Sequence, residues 1–223
     1  MATKEDVMRV WKCADAVCFD VDSTVTQEEA IDELAKFCGR GYEVSAITKE
    51  AMRGNLNFKQ ALTRRLDIIQ PSMSQLREFI RTRPSKLSPG IKSLVDVLHR
   101  KCIPVYLVSG GIRGIITPVA LELGVPLQNV FANRLKFFLN GDYAGFDETE
   151  PTCNSGGKAE VIRRLKEKHG YSNLVLVGDG ATDAEACPPA DAFIGYGGNV
   201  VREEVRAKAK WYVSNFKELQ DAL

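Results

Sequence analysis

The stretch Ala14-Asp15-Ala16-Val17-Cys18-Phe19-Asp20-Val21-Asp22-Ser23-Thr24 runs from a largely apolar segment into two carboxylates separated by one residue. A short apolar run of this kind predicts a strand buried on both faces, as in parallel sheets flanked by helices. Open sheets of parallel strands bind ligands beyond their C-terminal strand ends. Asp20 and Asp22 therefore stand where a site would form. Taken alone, such a pair is more often a turn or cap feature than a catalytic one.

Two later segments repeat the pattern. Residues 103–108 read as a strand ending in Ser109-Gly110-Gly111, and residues 174–177 as a strand ending in Gly178-Asp179-Gly180-Ala181-Thr182-Asp183. Further short strands are predicted at 130–131, 192–194 and 211–213. Between them lie apolar stripes at helical spacing: Ile91, Leu94, Val95 and Leu98; Ile115, Val119 and Leu123; Val161, Ile162 and Leu165. Ser88-Pro89 predicts an N-cap followed by proline at the first helical position. Strands alternating with helices predict an α/β fold, a Rossmann-like parallel sheet covered on both faces. Asn140-Gly141 predicts a small β-hairpin with both residues at positive φ.

Residues 28–83 break this rhythm. Ile31, Leu34, Ala35 and Cys38 repeat at helical spacing and stop at Gly39, and helices are predicted around 44–52, 58–69 and 76–80. No strand interrupts them. The expected organisation is a catalytic core of residues 1–24 and 85–223, with residues 25–84 inserted as a helical-bundle cap.

If the strand ends converge, Asp20, Asp22, Asp179 and Asp183 approach one another, and close like charges cannot all stay ionised without a cation. An all-oxygen donor set suits Mg²⁺, which shares its shell with water and phosphate. Ser109 with the Gly110 and Gly111 amides could cradle phosphate oxygens. Lys158 falls in the first turn of a helix opened by Ser155-Gly156-Gly157, a position unfavourable to a cation unless an anion sits beside it. Gly157-Lys158 is not a P-loop, because Ala159 follows, and residues 109–114 lack the glycine spacing of a dinucleotide fold.

The chain has two histidines, His99 late in a helix and His169 beside a terminating Gly170, so acid–base work is expected of a carboxylate. Asp20 is expected as nucleophile and Asp22 as the group that moves the proton.

Among 223 residues the formal net charge is +1, which points away from nucleic acid and membrane surfaces and towards a small phosphorylated partner. Six scattered cysteines without C-x-x-C pairing read as reduced thiols in a cytosolic protein. Neither a signal peptide nor an apolar run of membrane-spanning length is visible, so a cytoplasmic location is expected.

These motifs, in this order, resemble those of the haloacid dehalogenase superfamily of phosphohydrolases: Asp20-Val21-Asp22-Ser23-Thr24 the first, Ser109-Gly110-Gly111 the second, Lys158 the third and residues 178–183 the fourth. Within the superfamily the chain is similar to the family that hydrolyses O-phosphoserine, through Glu28-Glu29-Ala30-Ile31-Asp32-Glu33-Leu34, Asn57-Phe58, Arg64-Arg65-Leu66 and Asn133-Arg134-Leu135. The resemblance implies Asp20, Asp22 and Asp179 as the metal set, with Asp183 behind them. It further implies Glu29 on the substrate ammonium, Arg65 on its carboxylate, and Met52 and Thr182 beside the substrate. Thr182 stands where many relatives have asparagine, and Arg53 where some have glycine. The reaction implied is the last step of serine biosynthesis. Another small phosphomonoester, transfer to a different alcohol, and a non-enzymatic phosphoacceptor are the competing readings. Homodimerisation is left open.

Overall fold

The computed structural model describes residues 3–52 and 56–223; Arg53 and the side chains of Lys49 and Met52 lie outside that description. Its centre is a six-stranded sheet, every neighbouring pair parallel, in the order β3-β2-β1-β6-β7-β8. These strands are β1 (Ala16–Phe19), β2 (Val105–Ile112), β3 (Val130–Asn133), β6 (Leu174–Gly178), β7 (Ala192–Tyr196) and β8 (Trp211–Val213).

Strand β1 lies in the middle of the sheet and all four of its side chains are buried. Side chains alternate across a strand. Val17 and Phe19 accordingly join the core beneath α1 (Lys4–Lys12), α6 (Ile91–Arg100), α7 (Arg113–Glu122) and α11 (Phe216–Asp221). Ala16 and Cys18 face the opposite core, with α8 (Gly157–His169) and α10 (Glu203–Lys208). Burying Phe19 completely stabilises the fold by about 1.5–3 kcal/mol. The fully apolar run that predicted a two-sided strand is thus explained.

Four helices follow β1: α2 (Ala30–Phe37), α3 (Gly41–Met52), α4 (Phe58–Ile69) and α5 (Met73–Thr82). Asn57 and Ser72 each cap their helix through a reciprocal pair with the glutamine three residues on. The apolar faces of these helices share a third core with Ile112, Ile115 and the hairpin residue Phe146. That hairpin is β4 (Leu135–Phe137) with β5 (Tyr143–Phe146), and α9 (Ala181–Ala184) follows β6.

Three local expectations change. The Ser88 hydroxyl does not cap α6; Gly90 occupies the N-cap, and Ser88 Oγ donates instead to the Thr24 carbonyl at 2.6 Å. A buried carbonyl left without a donor is costly, and the Ser88 hydroxyl satisfies this one. Of the two turn residues Asn140 and Gly141 only Gly141 has positive φ; its N–H closes a turn onto Phe138 O. Strand β2 also runs further than expected, through Ser109-Gly110-Gly111 to Ile112.

Candidate active site

The C-terminal ends of β1, β2 and β6 open onto one cavity of about 560 Å³. Asp20, Asp22, Ser109, Gly110, Gly111, Lys158, Asp179, Thr182 and Asp183 line it, and Glu29 and Arg65 reach it from the helical insertion. Met52 ends α3, but its side chain is outside the described residues. A parallel sheet gathers residues distant in sequence because each strand delivers its last side chains to the same rim.

Lys158 lies at the second position of α8 and is almost wholly buried. Its Nζ donates to Asp20 Oδ1 at 2.6 Å and to Asp183 Oδ1 at 2.7 Å. The misplaced cation at a helix N-terminus is thereby accounted for. Burial disfavours the ammonium, but the charges of Asp183 and Asp20 outweigh it and raise the Lys158 pKa. Burial pushes the Asp20 carboxyl well above its usual range, Lys158 pulls it back, and Asp183 and Asp179 push it up again. Asp183 is likewise raised by burial against the pull of Lys158.

Asp22 differs from Asp20 in its surroundings. Its Oδ1 accepts from the Ala30 amide at 2.8 Å, and Oδ2 from Ser109 Oγ at 3.3 Å. Burial and the nearby Glu29 charge push its pKa up to about 7, against the Ala30 hydrogen bond. Two carboxylates two residues apart thus have distinct electrostatic surroundings, one paired with the Lys158 ammonium and one raised by burial and the Glu29 charge. Ser109 Oγ also accepts from the Gly111 amide at 2.9 Å.

Among the described residues, Asp20, Asp179 and Asp183 each offer an oxygen within 4.8 Å of the others. Asp183 belongs to this group, and the Asp22 carboxylate accepts from the Ala30 amide and Ser109 Oγ. Three buried carboxylates with only oxygen donors fit a hard divalent cation such as Mg²⁺. Both oxygens of Asp183 already have protein partners, Lys158 and the Gly180 amide, and both oxygens of Asp179 accept from Thr24 and Arg202.

Arg65 is a half-buried residue of α4 whose Nε is buried without a hydrogen-bond partner among the described residues. An unpartnered guanidinium N–H beside a cavity is costly, and a bound anion would satisfy it. Glu29 Oε1 accepts from Ser23 Oγ at 2.9 Å and from Arg202 Nη2 at 3.1 Å. Arg202 was not singled out from the sequence. It also donates through Nε to Asp179 Oδ2 at 2.8 Å, joining the carboxylate cluster to Glu29. Thr24 completes the hold on Asp179, donating to Oδ1 at 3.0 Å. The available signal was positional: Gly197-Gly198-Asn199 and Arg202 follow β7, another strand of the same rim.

A family profile for haloacid dehalogenase-like hydrolase matches residues 14–191. The phosphoserine phosphatase of Bos taurus is 56% identical over 223 residues, covering 100% of this chain and 99% of that protein. Among solved structures, DsGPDH of Dunaliella salina matches with TM-score 0.88 and 35% identity, over 100% of this chain and 38% of that one. A phospho-aspartyl intermediate analogue of phosphoserine phosphatase matches with TM-score 0.79 and 27% identity, over 93% of this chain and 98% of that one.

Proposed function

The chain belongs to the haloacid dehalogenase-like hydrolases, and within them to the phosphoserine phosphatases, and we propose that it hydrolyses O-phospho-L-serine to L-serine and phosphate through an aspartyl-phosphate on Asp20. One observation carries the reading. A single cavity holds Asp20 and Lys158 together with Glu29 and Arg65, so it offers separate partners for a phosphate, an ammonium and a carboxylate.

In the first step an oxygen of Asp20 attacks phosphorus while the bond to the serine oxygen breaks. Asp22 gives its proton to that departing oxygen. In the second step Asp22 takes a proton from the water that attacks the acyl phosphate, which restores the Asp20 carboxylate and the protonated Asp22 and releases phosphate. A carboxyl with its pKa near 7 is suited to both transfers. Lys158, Ser109 and the backbone amides of Gly110 and Gly111 hold the phosphoryl oxygens, where fixed donors in a buried site stabilise developing charge most strongly.

Asp20 and Asp179 would hold Mg²⁺, with Asp22 the third member of the set and Asp183 fixing Lys158 beside them. Bound there, the ion would supply positive charge to the transferring phosphoryl group. Glu29 binds the substrate ammonium and Arg65 grips its carboxylate with two parallel N–H bonds; Thr182 and Met52 flank the substrate. Residues 25–84 act as a cap that closes over the site and excludes water. The reaction is the last step of serine biosynthesis, and the protein works in the cytoplasm.

The test is phosphate release from O-phospho-L-serine, O-phosphothreonine and phosphoethanolamine by the wild type and Asp20→Asn. The expected result is strong preference for O-phospho-L-serine and loss of turnover in the variant. Equal rates on the three esters would refute the substrate, and normal turnover by Asp20→Asn the covalent step.

A further inference from the structure

We infer that Asn199 is a positioning residue for the ammonium subsite, acting on Glu29 through the backbone of Ser23. The inference rests on the proposed role of Glu29.

Asn199 lies in the loop after β7, and its Nδ2 faces three acceptors: Ser23 O at 3.1 Å, Thr26 O at 3.2 Å and Ser88 Oγ at 2.6 Å. Ser23 and Thr26 belong to the chain leaving the core for the helical insertion, and Ser88 to the chain returning. The two crossings are themselves paired, Gln27 N to Lys86 O and Ser88 N to Val25 O, both at 2.9 Å. One amide from a third segment therefore clasps both.

Ser23 is where the clasp has a chemical consequence. Its φ is 58°, a left-handed conformation that disfavours residues with a Cβ. Such a conformation persists only where surrounding contacts hold it. Ser23 is buried, and its carbonyl accepts from Asn199, while its N–H donates to Glu28 O at 3.3 Å. In this conformation Ser23 Oγ points to Glu29 Oε1. Without Asn199 the buried carbonyl loses its side-chain donor, the residue relaxes towards ordinary φ, and the hydroxyl swings away from Glu29. Arg202 alone then orients a carboxylate that two donors had fixed.

The readout is a ratio: kcat/KM on O-phospho-L-serine divided by kcat/KM on 3-phosphooxypropionate, the same ester with hydrogen in place of the ammonium. Loss of a general structural support lowers both values together and leaves the ratio unchanged. Asn199→Ala is expected to lower the ratio about tenfold, the scale of one hydrogen bond to a charged group. Asn199→Ser, too short to reach Ser23 O, is the second variant should the alanine protein fold poorly. Ser23→Ala, which removes only the hydroxyl, should lower the ratio similarly. In the double variant Asn199→Ala with Glu29→Gln, the ratio should fall no further than with Glu29→Gln alone.

An unchanged ratio in both Asn199 variants, with Glu29→Gln lowering it, overturns the role of Asn199 and leaves that of Glu29 standing. An unchanged ratio in Glu29→Gln overturns the ammonium assignment and this inference with it.

Discussion

Lys158 and Asp183, 25 residues apart in sequence, meet at 2.7 Å in a site where Asp183 is fully buried. The same ammonium reaches Asp20 at 2.6 Å. A lysine shared by two carboxylates holds one in place as scaffold and presents the other to the cavity.

Asp183→Ala should therefore destabilise the protein by about 3–5 kcal/mol, the usual cost of stripping one partner from a buried ion pair. Asp183→Asn, which keeps an acceptor for the Gly180 amide, should cost less. Urea unfolding measures both. A loss below ~0.5 kcal/mol for the alanine variant would show that the pair is not holding the site together.

Arg65→Ala should cost roughly 30-fold or more in kcat/KM on O-phospho-L-serine, because a buried charged hydrogen-bonding group is lost. An aryl phosphate without a carboxylate should show a much smaller loss. Arg65→Lys should recover only part of the difference, since an ammonium lacks the planar fork. Matching losses on the two substrates would assign Arg65 to support of the helices around it.

Gly111→Ala tests how tightly Asp22 is placed. A Cβ there would stand 2.5 Å from Asp22 Oδ2 and 3.1 Å from Ser109 Oγ, so the carboxylate must move. A shift of about 1 Å in a proton-transfer group can lower kcat by ~10²-fold. Steady-state kinetics should show the loss mainly in kcat, with KM changed far less. An unaffected kcat would mean that Asp22 has freedom to spare.

Mg²⁺ should raise the melting temperature in a concentration-dependent manner, as any ion does that is held by the folded cluster and not by the unfolded chain. At about 100 times its dissociation constant the stabilisation would approach ~2.7 kcal/mol. EDTA should reverse the shift and stop turnover. In Asp179→Asn the shift should largely vanish; if it persists, the ion binds elsewhere.

Cysteine labelling offers a check on packing that is independent of activity. Cys13 and Cys102 are exposed, whereas Cys18 and Cys153 are buried with thiol pKa values pushed up by burial. Since the thiolate is the reacting form, the exposed pair should alkylate first and the buried pair only on unfolding. Cys38 and Cys187, partly buried and also pushed up, should label faster as pH rises. Mass spectrometry after a short pulse distinguishes the three classes.

Much of this architecture is legible in the sequence. The apolar run before Asp20 named a central strand because burial on both faces removes polar alternation. The helical stripes of residues 30–82 declared themselves because each helix needs only one apolar face. Lys158 was conspicuous because a cation at a helix N-terminus requires an anion, and Asp20 and Asp183 are those anions. Ser88 was misread for a physical reason: a hydroxyl before a helix can cap it or serve a more needy acceptor, and local sequence does not display Thr24 O.

The residue types, their order along the chain and the periodicity of the apolar positions were enough to determine a parallel α/β core with a helical insertion and acidic strand ends. Those features are local, and each is written within a dozen residues. Tertiary structure alone decided that Asp22 turns to Ala30 and Ser109 while Asp183 joins Asp20 and Asp179. It alone brought Arg202 onto Asp179 and Glu29, and Asn199 onto both crossings of the chain. Such contacts depend on the register and twist that align separate strand ends. A side chain's partner across that rim has no signature in its own neighbourhood. The strand placed Asp20 at the sheet's rim, but the contacts that set its charge come from residues more than a hundred positions away.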